Sequence, residues 1–333
     1  MDINQKKTQF LNSLDAQNIS PAEIVKFLLP HILEGTDIYT LLTRANINHC
    51  STPICEKDVE NFYKIVYDTW FSSLSKIDPQ NSDPAICEIV EMLKSEEFAP
   101  QNISAKQAKE FLENQTNRFL IHSVFPVFIL HSRKILNGET PNNLFVYVKP
   151  SALHRKFKNC ECRLYLNLKP KNAMALGAVL GELCEEKNIP LCYKFWTANN
   201  ERNDSFLIYT NYDHVSNIVK QIQKIEKTNP ELFDGCEQSN PFLAKVDNFI
   251  FFGEEPQNKI FSFTRTRSTA IAEFLNSIGK TNLLKIIENN QIDKVITNKN
   301  LEKFFEENGI SISNPYLNYE TQKELEQEQN KTL

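Results

Sequence analysis

Five cations stand inside or beside stretches that would otherwise form half-buried strands. They are Lys149 in Leu-Phe-Val-Tyr-Val-Lys, Arg163 in Arg-Leu-Tyr-Leu-Asn-Leu, Lys194 in Cys-Tyr-Lys-Phe-Trp, Arg202 shortly before Ser-Phe-Leu-Ile-Tyr, and Arg267 after Phe-Ser-Phe. An ammonium or guanidinium taken out of water without a partner is costly, so such groups meet acids, line a wet cleft or receive an anionic ligand. The chemistry expected of these five is anion binding. The acids that could neutralise them instead, as a structural ion network, are Asp204, Glu254 and Glu255.

The cationic site must be local, because the chain as a whole carries a net charge of -5. No long basic stripe is present to displace counterions from a phosphate backbone, so nucleic acid is not an expected partner. No apolar run approaches a membrane span and no secretory leader pattern opens the chain, which points to a reducing cytosol. Cys160 and Cys162, and the pair Cys50 and Cys55, lack the repeated spacing and partner ligands of zinc sites. They are read as structural thiols, with no metal and no organic cofactor expected.

The elements that must position the cations fall into two halves. Residues 1–138 read as a helical domain, with apolar residues three and four apart at Ile24, Phe27, Leu28 and Ile32 and again at Val59, Phe62, Ile65 and Val66. Ser20-Pro21-Ala22-Glu23 has the composition of a capped helix start, and Gly35 of its end. The apolar run from Ile121 to Leu136 is read as a core helix. Near the Pro-Asn-Asn stretch at 141–143 the pattern turns to alternation, so a second domain is expected over 139–312. The fold class is α+β: a helical N-terminal half followed by a mixed β-sheet domain with flanking helices.

Within that second domain Arg163, Tyr165 and Asn167 share one strand face and Leu164, Leu166 and Leu168 the other, since side chains alternate with period two. A helix over Lys171 to Lys187, with Met174, Val179, Leu180, Leu183 and Cys184 inward, leads to a strand through Lys194. Strand, helix, strand predicts a parallel crossover with Arg163 and Lys194 on neighbouring strands. Asp213 is expected to cap a helix carrying Val215, Ile218, Val219, Ile222 and Ile225. Val246 to Phe252 and Lys259 to Phe263 read as strands around a turn at Gly253-Glu254-Glu255-Pro256. Arg267 is placed in the opening turn of a following helix, where backbone amides and the helix dipole favour phosphate or carboxylate.

Five motifs in order carry a resemblance over about Phe145 to Leu275. They are Arg163-Leu-Tyr165-Leu-Asn167, Tyr193-Lys194-Phe195, Arg202-Asn203-Asp204 with Leu207-Ile208-Tyr209, Gly253-Glu254-Glu255-Pro256, and Ser262-Phe263-Thr264-Arg265-Thr266-Arg267. This set resembles the HopA effector family of plant-pathogen type III effectors, whose domain also serves as the lyase component of class V lanthipeptide and thioamitide maturation. Thr264 stands where the family pattern has glycine.

The resemblance implies β-elimination of phosphate from a phosphothreonine or phosphoserine in a protein or peptide. Such a reaction needs a base for the Cα proton, donors for the phosphate and an acid for the leaving oxygen. Lys194 is the first choice of base, with Lys149 a further clamp or the base itself. Arg163, Arg202 and Arg267, with Asn167, would hold the phosphate. Asp204 would orient an arginine, and His154 or Tyr165 would supply the proton. A non-catalytic effector that binds a phosphorylated or acidic partner through the same pocket is the alternative.

The end of the chain, 313–333, is expected to be a flexible acidic tail, because Glu320, Glu324 and Glu328 would share a helix face and repel. It is similar to the glutamate-rich C-terminal signal of Dot/Icm type IV secretion substrates. That similarity implies delivery from the bacterial cytoplasm into a host cell. The helical half would then recognise the target or a bacterial partner protein.

Overall fold

The computed structural model describes residues 3–15, 19–43, 91, 94–104, 106–107, 129–130, 145–148, 160–168, 170–196, 203–233, 240–257 and 261–332. Three helices come first, α1 (Ile3–Asn12), α2 (Pro21–Leu33) and α3 (Ile38–Thr43). Strands β1 (Ile129–Leu130), β2 (Phe145–Val148) and β3 (Cys162–Leu166) precede helix α4 (Pro170–Glu186). Next come β4 (Cys192–Trp196), β5 (Phe206–Thr210), α5 (Val215–Thr228), β6 (Ala244–Lys245) and β7 (Phe251–Glu254). The chain closes with α6 (Phe263–Ile278), α7 (Lys280–Glu288), α8 (Ile292–Val295), α9 (Asn298–Glu307) and α10 (Tyr319–Thr332).

The seven strands form one sheet in the order β1-β2-β4-β5-β3-β7-β6. Every pairing is antiparallel, so among the described strands the sheet is not mixed. Strands β3 and β4 are joined through α4 and run in the same direction, but β5 lies between them and bonds to both. Arg163 and Lys194 are therefore not on neighbouring strands. The crossover expectation fails because the next strand along the chain, β5, fills the gap that the helix connection leaves.

Alternation explains why both faces of this sheet are covered. Leu164 and Leu166 of β3, Ile208 of β5, Tyr193 and Phe195 of β4 and Phe252 of β7 point to one layer, where they meet α1, α4 and α5. Tyr165, Leu207 and Phe251 point to the other, where they meet α2, α3, α6 and α9. Each fully buried Leu or Phe in such layers contributes about 1.5–3 kcal/mol relative to exposure. The face expected to be chemical is thus partly a second core, and all five residues of β3 are buried.

The described N-terminal helices belong to these same two cores. Phe10 of α1 meets Phe252 edge-on at 5.2 Å between ring centroids, and Asp15 bridges Lys245 of the edge strand β6. Helices α2 and α3 share their apolar cluster with α6 and α9. Helices α1–α3 thus pack on the sheet. On α2 the capping box forms as expected: Ser20 Oγ accepts from the Glu23 amide at 3.3 Å and Glu23 Oε2 from the Ser20 amide at 2.9 Å. Gly35, at φ +95°, follows the helix end. The buried stripe is Ile24, Val25, Leu28 and Leu29, while Phe27 is exposed.

Several element expectations are corrected. Ile129 and Leu130 pair as strand β1 within the run read as a core helix; Val59 to Val66 and the boundary at 141–143 lie outside the described residues. On α4, Val179 is exposed rather than inward, though Leu180 and Cys184 are buried. Asp213 does not cap α5; its carboxylate pairs with Lys6 at 2.9 Å, and His214 takes the cap position without a side-chain bond. Gly253 and Glu254 are strand residues, not a turn. Phe263 opens α6 rather than closing a strand.

Candidate functional site

Cross-strand register sets the site. Lys194 on β4 pairs with Leu207 on β5, which pairs with Tyr165 on β3, so the three lie in one row and on one face. Tyr209 pairs with Arg163, two residues along, on that same face. Lys194 and Arg163 are thus separated by two strand spacings, about 10 Å across the sheet. Lys194 and Tyr209 are half-buried, whereas Arg163 and Tyr165 are buried.

Arg267 reaches this face from the helix layer. Ser262 caps α6 by accepting from the Arg265 amide at 3.4 Å, and Arg267 is the fifth residue of the helix. Its side chain is fully buried. The guanidinium lies 3.7 Å from the Phe263 ring centroid, donates from Nε to Pro315 O at 3.0 Å and from Nη1 to Phe263 O at 3.4 Å. Nη2 has no hydrogen-bond partner. Burial lowers the pKa of Arg267 to about 9, with Tyr165 and Glu254 opposing the shift and Arg163 adding to it. The group stays cationic at neutral pH. A buried donor without a partner is uncommon enough to require an explanation.

The close seating of α6 on the sheet depends on Gly253. A Cβ there would lie 2.5 Å from Phe263 Cε2 and 2.8 Å from Leu243 Cδ2. Without a side chain on β7, the Phe263 ring packs flush on the strand and carries Arg267 with it. Thr264, in place of the family glycine, is the second residue of α6 and does not have positive φ. Its hydroxyl accepts from Asn240 Nδ2 at 3.3 Å. Helical φ suits threonine here, so the departure from the family pattern costs the backbone no strain.

Arg163 is engaged. Its Nε and Nη2 donate to the two carboxylate oxygens of Glu255, the second bond at 2.5 Å, and its guanidinium stands 4.9 Å from the Tyr209 ring centroid. Burial pulls the pKa of Arg163 down, but charge interactions with Tyr165, Tyr209 and Glu255 outweigh it and hold the pKa well above its ordinary value. Tyr165 is pushed up by burial, with Arg163 and Arg267 pulling down and Glu255 and Asp204 pushing up. A phenol with a raised pKa stays protonated and releases its proton poorly, which fits Tyr165 for orienting more than for acid catalysis.

The loop carrying Asp204 is held by the N-terminal helices. The amide of Asn203 donates to Thr43 O at 3.2 Å and its Nδ2 to Leu42 O at 3.1 Å, so the C-terminal end of α3 fixes the turn before β5. Asp204 is buried and Asn167 half-buried at the end of β3. Lys149, His154 and Arg202 lie outside the described residues. Cys162, Cys184 and Cys192 are buried free thiols, and burial pushes Cys160 up to about 12. Among the described residues no group of three or more His, Cys, Asp or Glu side chains could hold a metal ion.

Glu254 and Glu255, adjacent in sequence, serve opposite faces. Glu254 points to the α1 and α5 layer, where it accepts from Tyr212 Oη at 2.9 Å, Thr321 Oγ1 at 2.7 Å and the Asn318 amide at 2.7 Å. These bonds dock the C-terminal segment, which is helix α10 and not a frayed tail. Lys7 pairs with Glu324 at 3.0 Å and Thr8 donates to Glu328 at 2.9 Å. The acidic row expected to repel is met by α1.

Burial raises the pKa of Glu254 above the ordinary 4.5, the three hydrogen bonds opposing. Between the ordinary and the raised value the folded state holds a proton that the unfolded state has lost, so stability falls as pH rises through that window. Glu254→Gln should flatten this part of the stability curve, as read by urea denaturation at a series of pH values. An unchanged slope would show that Glu254 does not titrate there.

A three-layer α+β protein with Lys194 and Arg163 on one face of its sheet is the class that fold and site define. The model of the HopA1 effector protein family matches residues 139–317, more than half of the chain. The chain belongs to that family and is a bacterial effector. Among solved structures it is similar to an effector protein from Pseudomonas syringae pv. tomato strain DC3000, at 12% identity over 95% of each chain with a TM-score of 0.46. It is also similar to one from Pseudomonas syringae pv. syringae strain 61, at 14% identity over 95% of this chain and 97% of that one, with a TM-score of 0.44. No curated protein matches. Among the described residues no helix is long and apolar enough to cross a membrane.

Proposed function

We propose that this effector is a phosphothreonine or phosphoserine lyase, eliminating phosphate from a phosphorylated host protein. The observation that carries the reading is the register that sets Lys194, Tyr165 and Arg163 on one sheet face, onto which α6 brings the orphan donor of Arg267. In this reading Lys194 removes the Cα proton while Arg163 and Arg267 hold the phosphate that departs with the Cβ–O bonding pair. The products are a dehydroamino acid and inorganic phosphate. Arginine forks suit the tetrahedral oxyanion, and they act most strongly where water is excluded. Arg202 and Lys149 complete the set as further clamps, and His154 remains a candidate acid.

A second reading is a non-catalytic effector that holds a phosphorylated or acidic host protein through the same cations. The buried phenol of Tyr165 favours it, because burial pushes its pKa up and leaves it a poor proton donor for a leaving oxygen, which binding does not need. Intact-mass measurement of a treated phosphothreonine peptide separates the two. The lyase leaves a product lighter by phosphoric acid, a phosphatase leaves one heavier than that by a water, and a binder leaves the peptide unchanged. Delivery into the host cytoplasm, through type IV secretion read from the acidic C-terminal helix, is part of the same proposal. Removing α10 should then block translocation.

A further inference from the structure

The fork that a phosphate would need is already filled by a side chain of the protein. Arg163 presents Nε and Nη2 to both oxygens of Glu255, the two-point geometry by which a guanidinium also holds two phosphoryl oxygens. Both side chains are largely withdrawn from solvent, at 9% and 13% exposure, so the pair is not a screened surface contact.

The backbone under Glu255 is fixed. Its amide donates to Glu161 O at 2.8 Å and its carbonyl accepts from Asn318 Nδ2 at 2.8 Å. The preceding Glu254 is bonded three ways to Tyr212, Thr321 and the Asn318 amide. With the main chain pinned on both sides, freedom is confined to the Glu255 side chain. That is how a displaceable arm on a rigid base would be built.

We infer that Glu255 is a specificity gate: a built-in carboxylate seated on Arg163 that a dianionic phosphomonoester displaces and a monocarboxylate does not. The inference rests on the phosphate-site reading and deepens it. A ligand must exceed the carboxylate it replaces. A phosphoryl dianion brings more charge and a third oxygen, whereas a carboxylate brings nothing that Glu255 lacks. Glu255 thus excludes acidic peptides that carry no phosphate.

The test uses the full chain, with phosphothreonine, inorganic phosphate and acetate as probes in calorimetric titrations. Glu255→Gln removes the competing charge, and phosphothreonine should bind about tenfold or more tightly, as expected for loss of a charge-assisted competitor. Acetate, silent on the original protein, should gain measurable affinity, and Arg163→Ala placed in the Glu255→Gln background should abolish both gains. Unchanged or weaker phosphothreonine binding by folded Glu255→Gln overturns the gate and makes Glu255 an orienting partner of Arg163. Should Glu255→Gln fail to fold by circular dichroism, Glu255→Asp decides in its place. It keeps the charge but withdraws it by one methylene, and a gain of either probe supports the gate while no gain overturns it. Tighter binding without elimination would sink the lyase reading and leave the gate intact. Elimination with no gain on Glu255→Gln would do the reverse.

Discussion

Replacing Lys194 by alanine should lower elimination of phosphate at least about a thousandfold, while the dissociation constant for a phosphothreonine peptide stays within about threefold of its original value. A base acts only on the proton in flight, so its loss appears in kcat rather than in ground-state affinity. Lys194 sits on β4, half-buried, in the row that runs through Leu207 to Tyr165. Arg267→Ala should behave in the opposite way, chiefly weakening binding of the phosphopeptide. It should also destabilise the fold, because a fully buried side chain and two bonds to carbonyl oxygens are lost. Single-turnover kinetics together with calorimetric titration check both variants. Equal loss of turnover and affinity in each would remove the division of labour between base and clamp.

The second large effect is expected from a residue that makes no polar contact through a side chain. Gly253→Ala should destabilise the protein by about 1–3 kcal/mol, the usual cost of overpacking a filled interior. The added methyl would stand 2.5 Å from the Phe263 ring and 2.8 Å from Leu243. Neither can yield cheaply: Phe263 is fully buried and meets Tyr165 at 5.8 Å between centroids, and Leu243 is buried in the same cluster. Phe263 also carries the Arg267 guanidinium, so relief of the clash moves the cation away from the sheet. Chemical denaturation should therefore show reduced stability, and the folded fraction should bind phosphate more weakly than wild type. A variant with unaltered stability and affinity would mean that α6 can shift without consequence.

Local rules accounted for much of the fold. The capping box at Ser20 and Glu23, the apolar stripe of α5 and the helix read over Lys171 to Lys187, observed as α4, were legible because each depends on contacts within a few residues. Failures came where a long-range partner decides. Asp213 has the chemistry of a cap, yet Lys6 of α1 takes its carboxylate. Glutamates four apart on α10 repel in isolation, but Lys7, Thr8 and Glu254 hold the helix in place. Phe263 continues an apolar run that reads as strand, but Ser262 caps a helix there and Phe263 seats against Gly253 in the first turn of α6.

The site divides along the same line. Its residue types and strand faces were fixed by sequence: period two alone puts Arg163 with Tyr165, and helical spacing puts Arg267 over Phe263. Which acid meets which cation was not. Gly253 lies opposite Arg163 in the β3–β7 register, and that pairing brings Glu255 alongside while turning Glu254 to the other layer. No rule of propensity carries the register between strands separated by nearly ninety residues.

Sequence by itself determined the α+β class, the family and the cationic character of one sheet face, because these follow from alternation and from side-chain chemistry. Tertiary structure alone decided that β5 separates Arg163 from Lys194, that α3 holds the Asp204 loop, and that Glu255 occupies the Arg163 fork. Strand order and ion pairing are settled by competition among distant segments for the same buried space, and a linear pattern does not encode the outcome of that competition.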